Sequence, residues 1–393
     1  MHDMTRDLNK AAGAFPPPAF DLETVRHRRG RREIIRRAGT IATVLVLVTA
    51  SGSALWSAFH QGSLESGVGT GPPPSNGVIW FTEGEIGGRM EGIQLGSVQP
   101  DGTGRAIFTD GMPGGIGGAT SPDGSMIVFM HDPERTPDGD YGIWSMRADG
   151  SGLTQLTPSE GTDGGPKWSP DGTQILFTRH LGGVPGDPRS GVFAMNADGS
   201  EVRALSDDPE TDYASADWSP DGNQILLLTY RPGEGNGYVL WVMNQDGSDL
   251  REIYRGPCGS PQWSPSGNAI LFQTGGTLQL LSIDSADRRT VVDGLDGDVA
   301  FRWSPDGTRI LYARPISFDE GEELHVVDVE DGNDEIVADG AEWRDPQPAW
   351  SPDGTEIAFV RGGDIWTVGI GGSDEQQVTK SPQYEGTPIW AAA

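Results

Sequence analysis

The chain has 393 residues, with 28 Lys and Arg against 57 Asp and Glu, and a formal net charge of −29. That acidity argues against holding a phosphate backbone, which takes clustered Lys and Arg, and a single cysteine, Cys258, excludes an internal disulfide framework and a cysteine-built zinc cage. Gly 58 and Pro 29 make about 22% of the residues, nearly twice the average share, yet 12 Trp and regular apolar runs supply the buriable surface that disordered chains lack, so a fold with very many turns is expected.

Residues 1–37 hold nine basic side chains, among them Arg26, Arg28, Arg29, Arg31, Arg32, Arg36 and Arg37, against five acidic ones. This segment, with its Phe15-Pro-Pro-Pro18 stretch, reads as basic, largely disordered and cytoplasmic. Residues 38–59 are 22 uncharged residues centred on Ile41–Val48, about the length of a bilayer-crossing helix. Arginines on its N-terminal side keep the N-terminus cytoplasmic and export the remainder. Two readings compete with an anchor: a signal peptide cleaved near Ser51-Gly-Ser-Ala54, and a buried soluble helix. Residues 60–76, with Gly71-Pro-Pro-Pro74, form a linker.

From residue 77 onward the chain is one repeat. Ser-Pro-Asp-Gly begins at Ser121, Ser169, Ser219, Ser304 and Ser351, with Ser264-Pro-Ser-Gly267 as a variant, at separations of 48, 50, 45, 40 and 47 residues. Trp168, Trp218, Trp263, Trp303 and Trp350 precede five of these serines, and Thr120 precedes the first. Pro presets φ and Gly accepts positive φ, so each tetrapeptide makes a tight turn. A β-branched and aromatic strand follows, such as Ile175-Leu-Phe177, then a variable loop and a second strand such as Val192-Phe-Ala-Met195. A second hairpin turn, such as Asp198-Gly-Ser200, and a short last strand close the unit. Four short antiparallel strands every 40–50 residues predict the blades of an all-β propeller.

The pattern Trp-Ser-Pro-Asp-Gly-x-x-Ile-x-Phe followed by Met-Asn-x-Asp-Gly-Ser, seen whole from Trp168 to Ser200, resembles the WD40-like (PD40) repeat of bacterial TolB-type β-propellers. The resemblance spans residues 77–393. It implies the fold and leaves the task open, because one scaffold hosts many functions. Blade number follows from the ends of the repeat. Val78–Phe81, Ile93–Leu95 and Ala106–Phe108 are three strands of a blade lacking its first, and Gly386–Trp390 is a first strand lacking the other three. Joining them closes the ring at seven blades and removes its open edges. The familiar TolB propeller has six, which stands as the alternative.

Strand order puts the Ser-Pro-Asp-Gly and Asp-Gly-Ser turns on one face, and the long loops and blade connections on the other. Binding usually resides in variable loops on a rigid scaffold. That loop face gathers the candidate ligand residues His131, Arg179, Tyr213, Arg231, Asp298, Arg314, Asp345, Arg361 and Tyr384, with Asp163, Asp217, Cys258, Asp296, Arg302 and Glu385 beside the central channel. Arg179, Arg314 and Arg361 each lie four residues after a repeat isoleucine, and form either a cationic ring for an anionic or peptide-terminal ligand or salt bridges between blades. His180 and His325 lack a second histidine at metal-site spacing. Asp293, Asp296 and Asp298 offer calcium-type oxygen ligands without a complete calcium loop, so no cofactor is expected. Cys258 reads as an unreactive thiol.

Two function classes remain. The favoured one is a non-catalytic, monomeric propeller tethered to the cell membrane outside the cytoplasm, binding a protein, peptide or envelope partner and no nucleic acid. The other is a lyase or hydrolase acting at the channel mouth. No Gly-x-Ser-x-Gly occurs, which sets aside a peptidase of the prolyl-oligopeptidase type.

Overall fold

The computed structural model describes residues 76–84, 94–108, 116–132, 141–158, 162–180, 190–206, 211–230, 237–317, 321–341 and 348–392. The expected cytoplasmic segment, membrane helix and linker lie outside these residues, except Asn76, which opens a strand rather than ending the linker, and Arg231 and Asp345 lie outside them too. Among the described residues no helix is long and apolar enough to cross a membrane.

Seven four-stranded antiparallel sheets form a propeller. Blades 1 to 6 run in chain order, with innermost strands Ile116–Thr120, Asp163–Trp168, Asp212–Trp218, Gly259–Trp263, Phe301–Trp303 and Ala349–Trp350. Blade 7 takes its innermost strand, Tyr384–Ala392, from the far end of the sequence and its other three, Asn76–Gly84, Gln94–Val98 and Ala106–Ile107, from before blade 1. The expected split blade and seven-blade closure are therefore present. Trp80 pairs with Ile389 and Glu83 with Glu385 across the seam.

The core lies between blades. Leu176 and Val192 of blade 2 pack with Trp218, Ile225 and Leu227 of blade 3, and Trp168 packs back on Val128, Met130 and Ile143 of blade 1. The same interleaving recurs at every junction, including blade 7 with blade 1 through Trp80, Ile127 and Phe129. Strand period explains it: alternate residues face opposite neighbours, so each apolar strand serves two interfaces. Two of the five repeat tryptophans also carry a polar tie, whereas the buried indole N–H groups of Trp218, Trp263 and Trp303 have no hydrogen-bond partner among the described residues. Trp168 Nε1 donates to the Ala119 carbonyl at 3.1 Å, and Trp350 Nε1 to that of Arg302 at 3.5 Å.

A candidate ligand site in the central channel

The innermost strands line the propeller axis, and the residue before each repeat tryptophan occupies one height on all seven. Each pairs with the residue after the repeat isoleucine of its blade: Lys167 with Leu176, Asp217 with Leu226, Gln262 with Leu271 and Arg302 with Leu311. Ala119, Ala349 and Ile389 complete the ring. Blades 2 to 5 thus present lysine, aspartate, glutamine and arginine in succession, and blades 6, 7 and 1 present apolar groups.

Three charges meet in this ring. Burial lowers the Lys167 amine to about 8, against the pull of Asp217 and with a push from Arg302. Burial raises the Asp217 carboxyl, against Lys167, the Trp218 amide and Arg302. Burial also lowers the Arg302 guanidinium, to about 10, with Asp217 opposing, which leaves it charged at neutral pH. The three influence one another's protonation although blades 2, 3 and 5 are not all neighbours. Lys167 is 1% exposed and its Nζ has no hydrogen-bond partner. Asp217 and Arg302 are half-buried. Gln262 donates to the Phe301 carbonyl at 2.8 Å and braces the ring between blades 4 and 5.

The sequence points to Asp217 and Arg302 beside the channel and not to Lys167. The missing signal is an alignment of the repeats on the residue before the tryptophan, which exposes the polar arc in one column. The ring also sits at the turn-face end of the innermost strands, away from the loop-face mouth where the other candidates gather.

The described loop-face candidates are held by local contacts. Arg179 forms a two-pronged pair with Asp163 of its own blade, at 2.6 and 2.8 Å, and lies over the Phe177 and Phe193 rings. Arg361 binds Glu375 of its own blade and the Asp339 carbonyl of blade 5, and stacks on Phe359 and Trp366. Arg314 donates to the Gly294 carbonyl at 3.0 Å in the connection between blades 4 and 5. Of the two arrangements open for these arginines, the bridge between blades is made by Arg361, whereas Arg179 serves its own blade. His131 is buried, edge-on to Trp144. Tyr213 is buried with its hydroxyl against Ser206, Tyr384 is half-buried, and Asp298 is exposed. Burial pushes the Cys258 thiol up to about 12, which makes it a poor nucleophile at neutral pH.

Two other features are self-satisfied. His325 stacks on Tyr312 at 4.9 Å and lies 3.2 Å from Asp334 and 3.4 Å from Glu323, while the Tyr312 hydroxyl donates to Asp334 at 2.6 Å. A turn-face cleft of about 650 Å³ between blades 1 and 2 is lined by Asp123 and Asp171. Ser121, then the Ser125 amide and hydroxyl, hold Asp123 below the ordinary carboxylate range. Among the described residues no group of three or more His, Cys, Asp and Glu is arranged to hold a metal ion.

The comparisons agree with this architecture. The family model described as PD40, TolB beta propeller domain, matches residues 103–234 and 228–393. No curated protein matches the chain. Among solved structures, TolB from Acinetobacter baumannii aligns with a TM-score of 0.50 at 14% identity, covering 86% of this chain and 93% of that one. Oligogalacturonate lyase from Vibrio parahaemolyticus aligns at 0.58 and 14% identity, covering 70% and 83%. A puromycin-hydrolyzing peptidase of Mycobacterium tuberculosis aligns at 0.58 and 15% identity; this chain covers 55% of it, and it covers 83% of this chain. At such identities these likenesses establish the fold alone.

Proposed function

This chain is a member of the PD40, TolB β-propeller family, and from that premise we propose that it is a binding module. In this reading residues 38–59 tether the propeller to the membrane, and the exported ring captures a protein, a peptide or an envelope component without performing chemistry on it. The observation that carries the reading is the run of polar residues Lys167, Asp217, Gln262 and Arg302 at one height on the innermost strands of blades 2 to 5. Such a run orients a guest by its charged end. Variable loops around the mouth supply the area for the rest of a partner.

One feature favours a second reading. An amine lowered to about 8 beside a guanidinium can remove a proton next to a carboxylate, the kind of step a lyase needs. A chain of −29 repels a polyanionic substrate at long range, however, which ranks binding first. Incubation with oligogalacturonides, followed by ultraviolet absorbance of an unsaturated product, separates the two.

The binding reading is tested with the full chain in intact cells. A photo-cross-linking residue at exposed Asp298, on the loop face, is expected to give a discrete adduct, and one at exposed Asp149, on the turn face, none. Adducts from Asp149 alone would overturn the face assignment. Protease added outside the cell should digest the propeller and spare an N-terminal tag, whereas a mature N-terminus near Leu55 would mean a cleaved signal.

A further inference from the structure

The channel ring carries a charge that the protein does not balance. At one height of the innermost strands Lys167 and Arg302 are two cations and Asp217 is one anion. A surplus charge in such surroundings is costly unless a counter-charge completes it. Lys167 Nζ, nine-tenths buried and more, has no hydrogen-bond partner among the described residues. Arg302, on an innermost strand, is half-buried, and a guanidinium matches the two oxygens of a carboxylate.

We propose that this ring is a receptor for a single carboxylate, the C-terminal carboxylate of a peptide, gripped by Arg302 and neutralised from behind by Lys167. The inference rests on the binding-module reading and names the part of the partner that enters the channel. One surplus charge suits one carboxylate, whereas a polyanion needs a row of cations and meets a chain of −29. Depth fits as well. From Asp163, at the loop-face end of its strand, to Lys167 is four residues, or about 13 Å of strand, which an extended peptide of about four residues spans.

The test is calorimetric titration of the full-length chain in detergent with N-acetyl-pentaalanine bearing a free carboxylate, and with the same peptide as its C-terminal amide. The acid is expected to bind and the amide to bind at least about tenfold more weakly. Lys167→Met and Arg302→Gln should each weaken the acid by about tenfold or more. Asp217→Asn, which removes the competing negative charge, should tighten it several-fold, a gain that loss of structure could not produce. Affinity should also fall between pH 7 and pH 9, as Lys167 gives up its proton near 8.

Equal binding of acid and amide to the wild-type chain would overturn the proposal whether or not any variant folds. So would unchanged affinity in variants that melt like wild type, or tighter binding of an oligogalacturonide than of the peptide acid. If the Asp298 adduct persists while the peptide acid fails to bind, the carboxylate receptor falls and the binding module stands. If both fail, the module falls too.

Discussion

Glu322 sits on the flank of blade 5 shared with Leu324 and Val326, the flank that packs against Trp350 and Phe359 of blade 6. It is 5% exposed, and its Oε2 has no hydrogen-bond partner among the described residues. Burial alone raises its carboxyl to about 7. Between the ordinary value of 4.5 and about 7, the folded chain therefore binds a proton that the unfolded chain has released. Stability contributed here is full below 4.5 and is lost as pH rises through about 7. Glu322→Gln, which mimics the protonated acid, should raise stability at pH 8 by about 2–3 kcal/mol and change little at pH 4.5, read by chemical denaturation at both. Equal stability at pH 8 would mean that the carboxylate is compensated. Such residues are poorly legible in sequence. Glu322 and Lys167 look like any surface charge until ring closure encloses them, whereas Arg179 and Arg361 announce a shared position without announcing their partners. Asp217 and Arg302 were readable as channel residues because strand order brings the blade connections around the axis, although Lys167, equally adjacent to its tryptophan, was not singled out.

The Ser-Pro-Asp-Gly turn was the most legible element, and its parts have more duties than turn chemistry alone implies. Ser219 Oγ donates to Asp221 at 2.6 Å and accepts from the Gln224 amide at 2.8 Å, and Asp221 takes the Asn223 amide at 3.0 Å. One hydroxyl thus clamps both ends of the loop. Gly222 adopts a φ of +72°, and a Cβ there would come within 3.6 Å of Pro170 in the preceding blade. Proline of one turn therefore lies against glycine of the next, so the tetrapeptide both reverses the chain and spaces neighbouring blades. Ser219→Ala should cost about 1–2 kcal/mol, because the Gln224 amide and the Asp221 carboxylate each lose a buried partner. A variant as stable as wild type would show that solvent replaces the hydroxyl. The long loops were the least legible, since neither a repeat nor a turn code governs them.

At the scale of the ring, closure depends on two segments about 300 residues apart: the Thr82 hydroxyl donates to the Gly386 carbonyl at 3.1 Å across a separation of 304. Arg105 staples the seam by reaching Glu83 at 2.6 Å and Glu385 at 2.9 Å, and Ser381 donates to Glu83 at 2.8 Å. Removing residues 384–393 would strip blade 7 of its innermost strand, bare the edge of Asn76–Gly84 and uncover Trp80 and Phe81. The expected result is aggregation or a large fall in melting temperature; unchanged melting would contradict a load on this seam. The split seven-blade closure was legible because the missing strand at one end of the repeat matched the orphan strand at the other. It also decides how the molecule bears force. Asn76–Gly84, the strand by which the N-terminal segment enters the propeller, is hydrogen-bonded along both edges, to Tyr384–Ala392 on one side and Gln94–Val98 on the other. Tension directed along that strand would load both ladders in shear, many bonds at once, where an edge strand would peel bond by bond. The ring's fastener is thus also its mechanical clamp, and resistance to pulling is set by how slowly those two ladders slide.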